Sequence, residues 1–298
     1  MLNLAKIKAE KPIEQLIKFS IVNIDKPAGC TSFDVVDRVR RLFGLEKCGH
    51  FGTLDPQVTG VLPICLEKAC KIQDFFMHRD KIYIGKMQLH KQITRKELEA
   101  GMKKFIGKIN QLPPRISRVK RVVREREVMQ FKLISLDEKK KEAEFISEVQ
   151  AGTYIRKLCS DLGDSLGIGA QMTELRRTKA GLFSNEDKEF TTLEDLEKAY
   201  DEYKKGDEKN LRKILIPAEI ITELIEVIEV KPEFITKIGH GSPFFDEMPI
   251  NLEKAKKIIA TKEPFAVISD GKLLEIAKFS DKFEQKSILA KPEVVLNF

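Results

Sequence analysis

The spacing of hydrophobic and polar residues changes several times along the chain, and each spacing predicts a different kind of element. The apolar stretch IVNIDKP at 21–27 predicts a strand. The next segment, SFDVVDRVRRLFG, repeats apolar residues at helical spacing, and this predicts an amphipathic helix that Thr31 or Ser32 caps and that ends at Gly44. Alternation through KIYIGKMQLH at 81–90 predicts another strand. Strands and helices therefore mix along the first part of the chain.

Further elements follow the same two periods. VLPICL predicts an apolar strand, and RVVREREVMQFKLISLDEKKKEAEFISEVQAG predicts two strands joined by a charged turn. Helices are predicted for TRKELEAGMKKFIG, closing at Gly107, around YIRKLCSDLGDSLG, and at TTLEDLEKAYDEYKK. The composition becomes strongly charged near 200–213, which predicts a domain boundary there. The chain beyond it predicts short strands with Gly and Pro turns, a small β-rich module.

The excess of positive charge lies in the first two-thirds of the chain. Lysine and arginine exceed aspartate and glutamate by 53 to 46, whereas residues 220–298 contain 11 lysines, no arginine and 13 acidic residues. This distribution favours a polyanionic partner bound mainly by the first 219 residues. No apolar run approaches the roughly 18 residues of a membrane span, the chain starts too polar for a signal peptide, and the five cysteines form no C-x-x-C pair. We therefore expect a cytoplasmic protein with reduced thiols, no metal site and no membrane association.

Asp55 stands in a loop rich in glycine and proline, HFGTLDPQVTGVLP at 50–63. Pro56 disfavours the α region for Asp55, and Gly52 permits a sharp turn just before it. The chain contains neither the glycine motifs that bind nucleotide phosphates nor a G-x-S-x-G elbow, and its histidines are not clustered. What remains is chemistry that a carboxylate performs unaided, such as acting on the anomeric carbon of a sugar. The alternative is that Asp-Pro only starts a turn.

Three residues elsewhere fit a reaction on a nucleotide. Arg156 in GTYIRKL can pair with Asp55 and keep it ionised and oriented; otherwise it is a surface arginine on a helix. Tyr83 can stack on an extruded base, or it is a half-buried strand tyrosine. His50 can wedge into the gap that a flipped base leaves, or it packs the loop. Each hypothesis thus stands beside a purely structural alternative.

A basic run and a glycine-rich turn are candidate RNA contacts. The run PPRISRVKRVVRER is dense in arginine and favours phosphate binding over a merely solvated face. In the turn IGHGSPF at 238–244, backbone amides can approach RNA closely. The candidate RNA-binding residues are Arg115, Arg118, Lys120, Arg121, Arg124, Arg126, Gly239 and Gly241.

Five motifs together resemble one family. GHFGTLDPQVTGVLP, KIYIGKMQLH, PPRISRVKR, GTYIRKL and ELRRTKAG occur in the order and at roughly the spacing seen in TruB/dyskerin-family pseudouridine synthases. The resemblance implies an α+β fold: a mixed, mainly antiparallel sheet flanked by helices, plus a small β-rich C-terminal PUA module. It also implies three parts, which are an N-terminal extension at 1–20 that packs on the C-terminal module, a catalytic domain at 21–215, and a PUA RNA-binding module at 227–298.

The resemblance implies an isomerisation that needs neither cofactor nor metal. A uridine is flipped out, its C1′–N1 bond is cleaved, the uracil rotates, and a C1′–C5 bond forms. Asp55 starts this either as nucleophile at C1′ or as base at C2′, and both routes stay open. Tyr83 stacks on the base and helps to remove the C5 proton, and Arg156 pairs with Asp55. The substrate-binding residues that the resemblance implies are Lys26, His50, Tyr154 and Leu175.

Two branches of the family share these motifs, and the sequence is more similar to one of them. YIGKMQLHK, SRVKRVVREREV, QAGTYIR and the N-terminal KPIEQLIKF resemble the catalytic subunit of archaeal box H/ACA ribonucleoproteins. The implied partners are guide RNA, substrate RNA, two small accessory H/ACA proteins and a kink-turn-binding ribosomal-type protein. The alternatives are a stand-alone tRNA stem-loop enzyme and a non-catalytic RNA-binding scaffold. Phe33, Phe51 and Arg118 depart from the family pattern at positions expected near RNA.

Overall fold

The computed structural model describes residues 2–113, 120–280 and 287–296. Within these residues the helices are α1 (Leu4–Glu10), α2 (Ile13–Lys18), α3 (Ser32–Phe43), α4 (Gln73–Met77), α5 (Arg95–Lys103), α6 (Ile155–Ser165), α7 (Leu193–Lys204), α8 (Lys209–Ile214), α9 (Ile235–Gly239) and α10 (Leu252–Ala260). The strands are β1 (Ser20–Lys26), β2 (Cys48–His50), β3 (Thr59–Leu66), β4 (Lys81–Leu89), β5 (Gly107–Gln111), β6 (Arg124–Asp137), β7 (Glu142–Val149), β8 (Ala170–Ala180), β9 (Phe183–Ser184), β10 (Phe190–Thr191), β11 (Ile216–Pro217), β12 (Glu226–Glu229), β13 (Phe244–Phe245), β14 (Phe265–Ser269), β15 (Lys272–Phe279) and β16 (Ile288–Val295).

The chain divides into two compact units. One unit comprises Met1–Ile21, Leu66–Phe75 and Leu215–Phe298, and the other comprises Val22–Cys65 and Phe76–Ile214. We call them the terminal unit and the central unit. The predicted α+β class is confirmed, because helices flank a large, mainly antiparallel sheet and a second, smaller sheet is present.

The large sheet of the central unit has the strand order β10-β1-β3-β8-β4-β7-β6-β5, with β2 beside β3 and β9 beside β8. Strand β8 lies in the middle, parallel to β3 and antiparallel to β4. Because β3 follows the Asp55 loop and β4 carries Tyr83, β8 connects the two parts of the sequence that carry the candidate chemistry.

Local sequence signals explain the elements that support the site. Helix α3 begins at a capping box, in which Thr31 accepts from the Asp34 backbone and Asp34 accepts from the Thr31 backbone. It ends at Gly44, whose φ of 63° is the left-handed conformation that glycine adopts most readily. Strand β4 buries every second residue from Lys81 to Leu89, as its alternation predicts.

Two differences from the sequence-based expectation concern the large sheet. The helix predicted to close at Gly107 ends at Lys103, and Gly107 instead begins β5, with a φ of 99°. The sequence pattern does not predict strand β8. Its sequence AQMTELRRTKA is too polar to show the apolar alternation of a strand, and only its two neighbours in the sheet make it central.

The terminal unit contains a five-stranded sheet in the order β12-β14-β15-β16-β13. Helices α9 and α10 contribute Ile238, Ala255 and Ile258 to one apolar core with Phe265 and other residues of the sheet. In the same unit the chain start lies beside β11 and the segment after it, since Lys11 donates to the buried Glu219 at 2.7 Å. No helix among the described residues is both long and apolar enough to cross a membrane.

Candidate active site

Asp55 lies at the start of a tight turn on the surface of the central unit. The Val58 backbone N–H donates to the Asp55 carbonyl at 3.0 Å, and just upstream Gly52 has a φ of 125°, which a residue with a Cβ rarely adopts. About half of the Asp55 side chain is exposed, at 52%. The Arg156 guanidinium donates to Asp55 Oδ2 and is itself 50% exposed. The predicted ion pair therefore forms at a position that a substrate can reach.

Arg156 is oriented by the way helix α6 begins. Tyr154 is the N-cap of α6, and the side-chain amide of Gln111 binds the Tyr154 backbone twice, accepting from its N–H at 2.9 Å and donating to its carbonyl at 3.2 Å. Gln111 is itself buried at the end of β5. The first turn of α6, and Arg156 with it, is thus fixed to the edge of the large sheet.

The downstream side of the Asp55 loop is bound to the segment that connects β1 and α3. The buried Lys26 ammonium donates to the carbonyls of Pro56 and Val58 at 3.0 and 2.9 Å. Ser32 Oγ accepts from the Leu54 N–H at 2.8 Å and donates to the Leu54 carbonyl. Burial lowers the pKa of Lys26, and the nearby Cys30 and then Asp55 act against that shift. Lys26 and Ser32 thus hold the backbone on both sides of Asp55.

The upstream side of the loop lies on two further buried cations. Arg177 donates from Nη2 to the Gly52 carbonyl at 3.0 Å and from Nε to the Val61 carbonyl at 2.7 Å. Lys81 donates to the carbonyls of Met77 and Arg79. A Cβ on Gly52 would lie 3.4 Å from Arg177 Nη1 and 3.5 Å from Lys81 Cε. Burial, and then the charge of Arg177, lowers the pKa of Lys81 to about 8.

His50 is half-buried in the same loop and accepts through Nδ1 from the Gly52 N–H at 3.2 Å. Burial lowers the pKa of His50, and the charge of Arg177 adds to that effect. The ring therefore favours its neutral form near neutral pH.

Tyr83 and Leu175 lie side by side on one face of the sheet. In the register between β4 and β8, Tyr83 is opposite Arg177 and Gly85 is opposite Leu175, so these four residues share a face. Tyr83 is 8% exposed, and the charge of Arg177, the residue opposite it, interacts with its hydroxyl. Leu175 Cδ1 would be only 2.8 Å from a Cβ on Gly85, so the absence of that atom makes room for the leucine.

The two aromatic departures from the family pattern have different environments. Phe51 is 1% exposed and stacks on Phe76, with ring centroids 4.7 Å apart, while Phe183 packs against both rings. Its role is to fill the core beneath the loop. Phe33, in contrast, is 73% exposed at the start of α3.

The candidate RNA-binding residues fall into four groups. Arg115 and Arg118 lie outside the described residues. Lys120 and Arg121 are exposed, whereas Arg124 and Arg126 are half-buried on β6. The Arg126 guanidinium lies against Gly152, where a Cβ would be 3.1 Å from Nη2. Gly239 and Gly241 belong to the terminal unit, at the end of α9 and just after it.

The candidate site residues are thus joined by specific interactions. Asp55 and Arg156 form an ion pair, and Lys26, His50 and Arg177 bind the loop that carries Asp55. The sequence alone does not indicate Arg177 or Lys81, because a lysine and an arginine in basic segments are expected at the surface. Among residues 2–113, 120–280 and 287–296, no group of three or more His, Cys, Asp or Glu side chains is placed to hold a metal ion.

Two family models match segments that contribute residues to this site. Residues 40–99 match the N-terminal domain of the TruB family pseudouridylate synthases, and residues 156–223 match the C-terminal domain of tRNA pseudouridylate synthase B. A protein of Methanopyrus kandleri named probable tRNA pseudouridine synthase B is 44% identical over 248 residues, which are 82% of this chain and 72% of that protein. The chain belongs to the TruB family of pseudouridylate synthases. It is an RNA pseudouridine synthase.

Solved structures with the same fold extend the comparison to nearly the whole chain. A chain in the crystal structure of a Cbf5-Nop10-Gar1 complex superposes with a TM-score of 0.84 at 34% identity, covering 97% of this chain and 88% of that one. A chain in the structure of an H/ACA RNP bound to a substrate RNA containing 2′-deoxyuridine gives 0.81 at 32% identity, with 97% and 88% covered. The fold of this TruB-family enzyme is therefore shared with proteins found in H/ACA complexes.

Proposed function

We propose that this TruB-family enzyme converts uridines to pseudouridine with Asp55 as the residue that starts the reaction, and that a guide RNA presents those uridines to it. The observation that carries the catalytic part is the half-exposed ion pair of Asp55 and Arg156 on an anchored loop. An ionised carboxylate that is accessible and held in place is suited to act on a sugar carbon.

The proposed chemistry is an isomerisation, so all atoms of the uridine stay in the product. Asp55 either attacks C1′ or removes the proton from C2′, the C1′–N1 bond breaks, and the uracil leaves with the bonding electron pair. After the uracil rotates, C5 bonds to C1′; in the first route this displaces Asp55 from C1′, and in the second the proton returns to C2′. The proton on C5 is then removed, while N1 takes up a proton. Tyr83 and Leu175 flank the base in this arrangement, and Tyr83 helps to remove the C5 proton. Both first steps require the Asp55 carboxylate to lie beside the ribose.

The complexes in which similar chains are found support guide dependence. The similar structures are of complexes that include Nop10 and Gar1 and of an H/ACA RNP with substrate RNA. Residues 220–298 have more acidic than basic residues and no arginine, so they offer little non-specific attraction for RNA. We infer that guide RNA, small accessory proteins and a kink-turn-binding protein complete the particle, with base pairing reading the sequence.

A second function is favoured by a different observation. The curated relatives are named probable tRNA pseudouridine synthase B. In that alternative the chain modifies a tRNA stem-loop without any guide.

One experiment separates the two functions. Tritium release from C5-labelled uridine is followed in a single turnover for the chain alone and for the chain assembled with guide RNA and accessory proteins. The substrates are a bare tRNA stem-loop and an RNA complementary to the guide. We expect rapid release only from the guided substrate in the assembled particle, and none with Asp55→Asn. Equal rates on the bare stem-loop for the isolated chain would establish the stand-alone function instead.

A further inference from the structure

Arg177 is a charged residue that the reaction described above does not use, and it is almost completely buried. Its exposed fraction is 1%, and burial lowers its pKa while its interaction with Tyr83 opposes that shift. Among the described residues no carboxylate pairs with it; it donates to the carbonyls of Gly52 and Val61, and Tyr83 lies opposite it on the same face of the sheet. A buried cation without a counter-ion is costly and needs its hydrogen bonds satisfied.

The backbone of Arg177 lies where three strands of the central unit meet. It is opposite Gly60 of β3 on one side and opposite Tyr83 of β4 on the other. A Cβ on Gly60 would lie 2.2 Å from the Arg177 carbonyl oxygen, so the two strands approach as closely as only glycine allows. The position of the guanidinium is therefore fixed by the sheet itself.

The two acceptors of Arg177 and its neighbour Tyr83 belong to different parts of the site. Gly52 and Val61 are the backbone on either side of the turn that carries Asp55, and Tyr83 is the residue that flanks the base. A planar guanidinium presents its donors in a rigid fork, which can hold several acceptors at fixed mutual positions. A lysine at the same place offers a point charge without that fork.

We propose that Arg177 is a positioning residue, whose single guanidinium fixes the Asp55 loop and the Tyr83 hydroxyl relative to each other. Given the proposed roles of Asp55 and Tyr83, the Arg177 guanidinium sets the distance between the group that starts the reaction at the sugar and the group that acts on the base. Negative charge that develops on the Tyr83 hydroxyl oxygen or on the leaving uracil is stabilised by the same buried cation.

The test is a double-mutant cycle of Arg177→Lys and Tyr83→Phe in the full chain, assembled with guide RNA. We expect Arg177→Lys to lower the single-turnover rate constant at saturating RNA by about 100-fold, as small misplacements of reacting groups do, with RNA affinity unchanged within a few-fold. In the Tyr83→Phe background the same change should lower the rate constant much less. Fully additive effects, or a loss in RNA affinity alone, would overturn the proposal.

Arg176→Lys is the matched control, because the adjacent arginine lies opposite Ile84 instead, on the other face of β8, and pairs with Asp25 at 2.8 and 2.9 Å. We expect the rate constant of this variant to stay within a few-fold of wild type. A loss equal to that of Arg177→Lys would mean that any lysine in this strand disturbs the site, and the proposal would fail.

A second measurement does not depend on activity or on folding of the Arg177 variant. Tyr83→Phe removes only one oxygen, and hydrogen exchange of the amides at 50–58 is compared with wild type by mass spectrometry. If the guanidinium links Tyr83 to the loop, exchange there becomes several-fold faster. Unchanged exchange would refute the link even if the enzyme is active. Faster exchange together with a wild-type chain that releases no tritium would support the link and refute only the proposed function.

Discussion

The position of Asp55 is fixed by hydrogen bonds to the backbone of its loop and by the ion pair with Arg156, and not by burial of its side chain. Carbonyls on both sides of it accept from buried cations, Lys26 downstream and Arg177 upstream, and Ser32 binds the residue just before it. These groups satisfy the polar backbone of a loop that contains two prolines and positive-φ glycines. The carboxylate can therefore stay half-exposed for its substrate while the loop beneath it is fixed.

Unlike the half-exposed Asp55, Glu275 in the terminal unit has a buried carboxylate. It is 0% exposed in β15, opposite Val267 of β14, and within the described part of the chain neither of its oxygens has a hydrogen-bond partner. Burial raises the pKa of Glu275 from 4.5 to about 8. The folded protein consequently binds one more proton than the unfolded chain between these two values, so its stability falls as pH rises through that range.

We expect Glu275→Gln to remove this pH dependence. In the wild type the free energy of unfolding should decrease between pH 5 and pH 8 by a few kcal/mol, at most ~1.4 kcal/mol per pH unit. Chemical denaturation at four pH values measures it, with the exposed Glu263→Gln as control. The same slope in Glu275→Gln as in wild type would show that Glu275 is not the titrating group.

At the scale of elements, the periodicity of apolar residues predicts most of the helices and strands that support the site. It does not predict β8, the strand in the middle of the large sheet. Helix α3 and strand β4 follow from capping and alternation, because each is amphipathic and half-buried. Strand β8 does not, since its burial depends on neighbours far away in sequence, and its polar residues bind other parts of the protein. For the same reason the sequence indicates Asp55, Tyr83 and Arg156 but not Arg177, whose role depends on the fold around it.

The pairing of β4 with β8 leads to a prediction about Gly85. A Cβ there would lie 2.7 Å from Phe145 Cζ, 2.8 Å from Leu175 Cδ1 and 2.9 Å from the Glu174 carbonyl oxygen. Gly85→Ala should therefore displace Leu175, lower the free energy of unfolding by ~1–3 kcal/mol through overpacking, and slow the single-turnover rate by ~10–100-fold through misplacement beside the base.

Urea denaturation and tritium release measure the two effects of Gly85→Ala. Gly239→Ala is the control for stability, because a Cβ there meets nothing within 4 Å. Wild-type stability and rate for Gly85→Ala would show that Leu175 does not need the space.

At the scale of the whole molecule, charge and chemistry are concentrated in the same part of the chain. The arginines all lie before residue 220, and the basic run enters β6 close to the loop of Gly152 that leads to Arg156. Sequence composition alone predicts this concentration, whereas it does not distinguish the exposed Lys120 and Arg121 from the half-buried Arg124 and Arg126. That difference decides which cations are available to phosphates.

We expect the double substitution Lys120→Gln and Arg121→Gln to reduce the salt dependence of RNA binding by roughly one to two units of slope, about 0.7–0.9 for each phosphate that the protein no longer neutralises. The slope of log affinity against log salt concentration measures it, and melting temperature should not change because both side chains are exposed. Lys198→Gln with Lys205→Gln, two exposed lysines at α7, is the matched control. An unchanged slope in the variant of Lys120 and Arg121 would show that this end of the basic run is a solvated surface that does not bind phosphates.

The role of Asp55 is tested most directly by tritium release from C5-labelled uridine in the assembled particle, comparing wild type with Asp55→Asn in a single turnover. The substitution keeps the size of the side chain and removes its charge. Since the carboxylate acts on the sugar and not on phosphates, we expect release to fall to background while RNA affinity stays within a few-fold of wild type. Release by Asp55→Asn at more than a trace of the wild-type rate would contradict the proposed role.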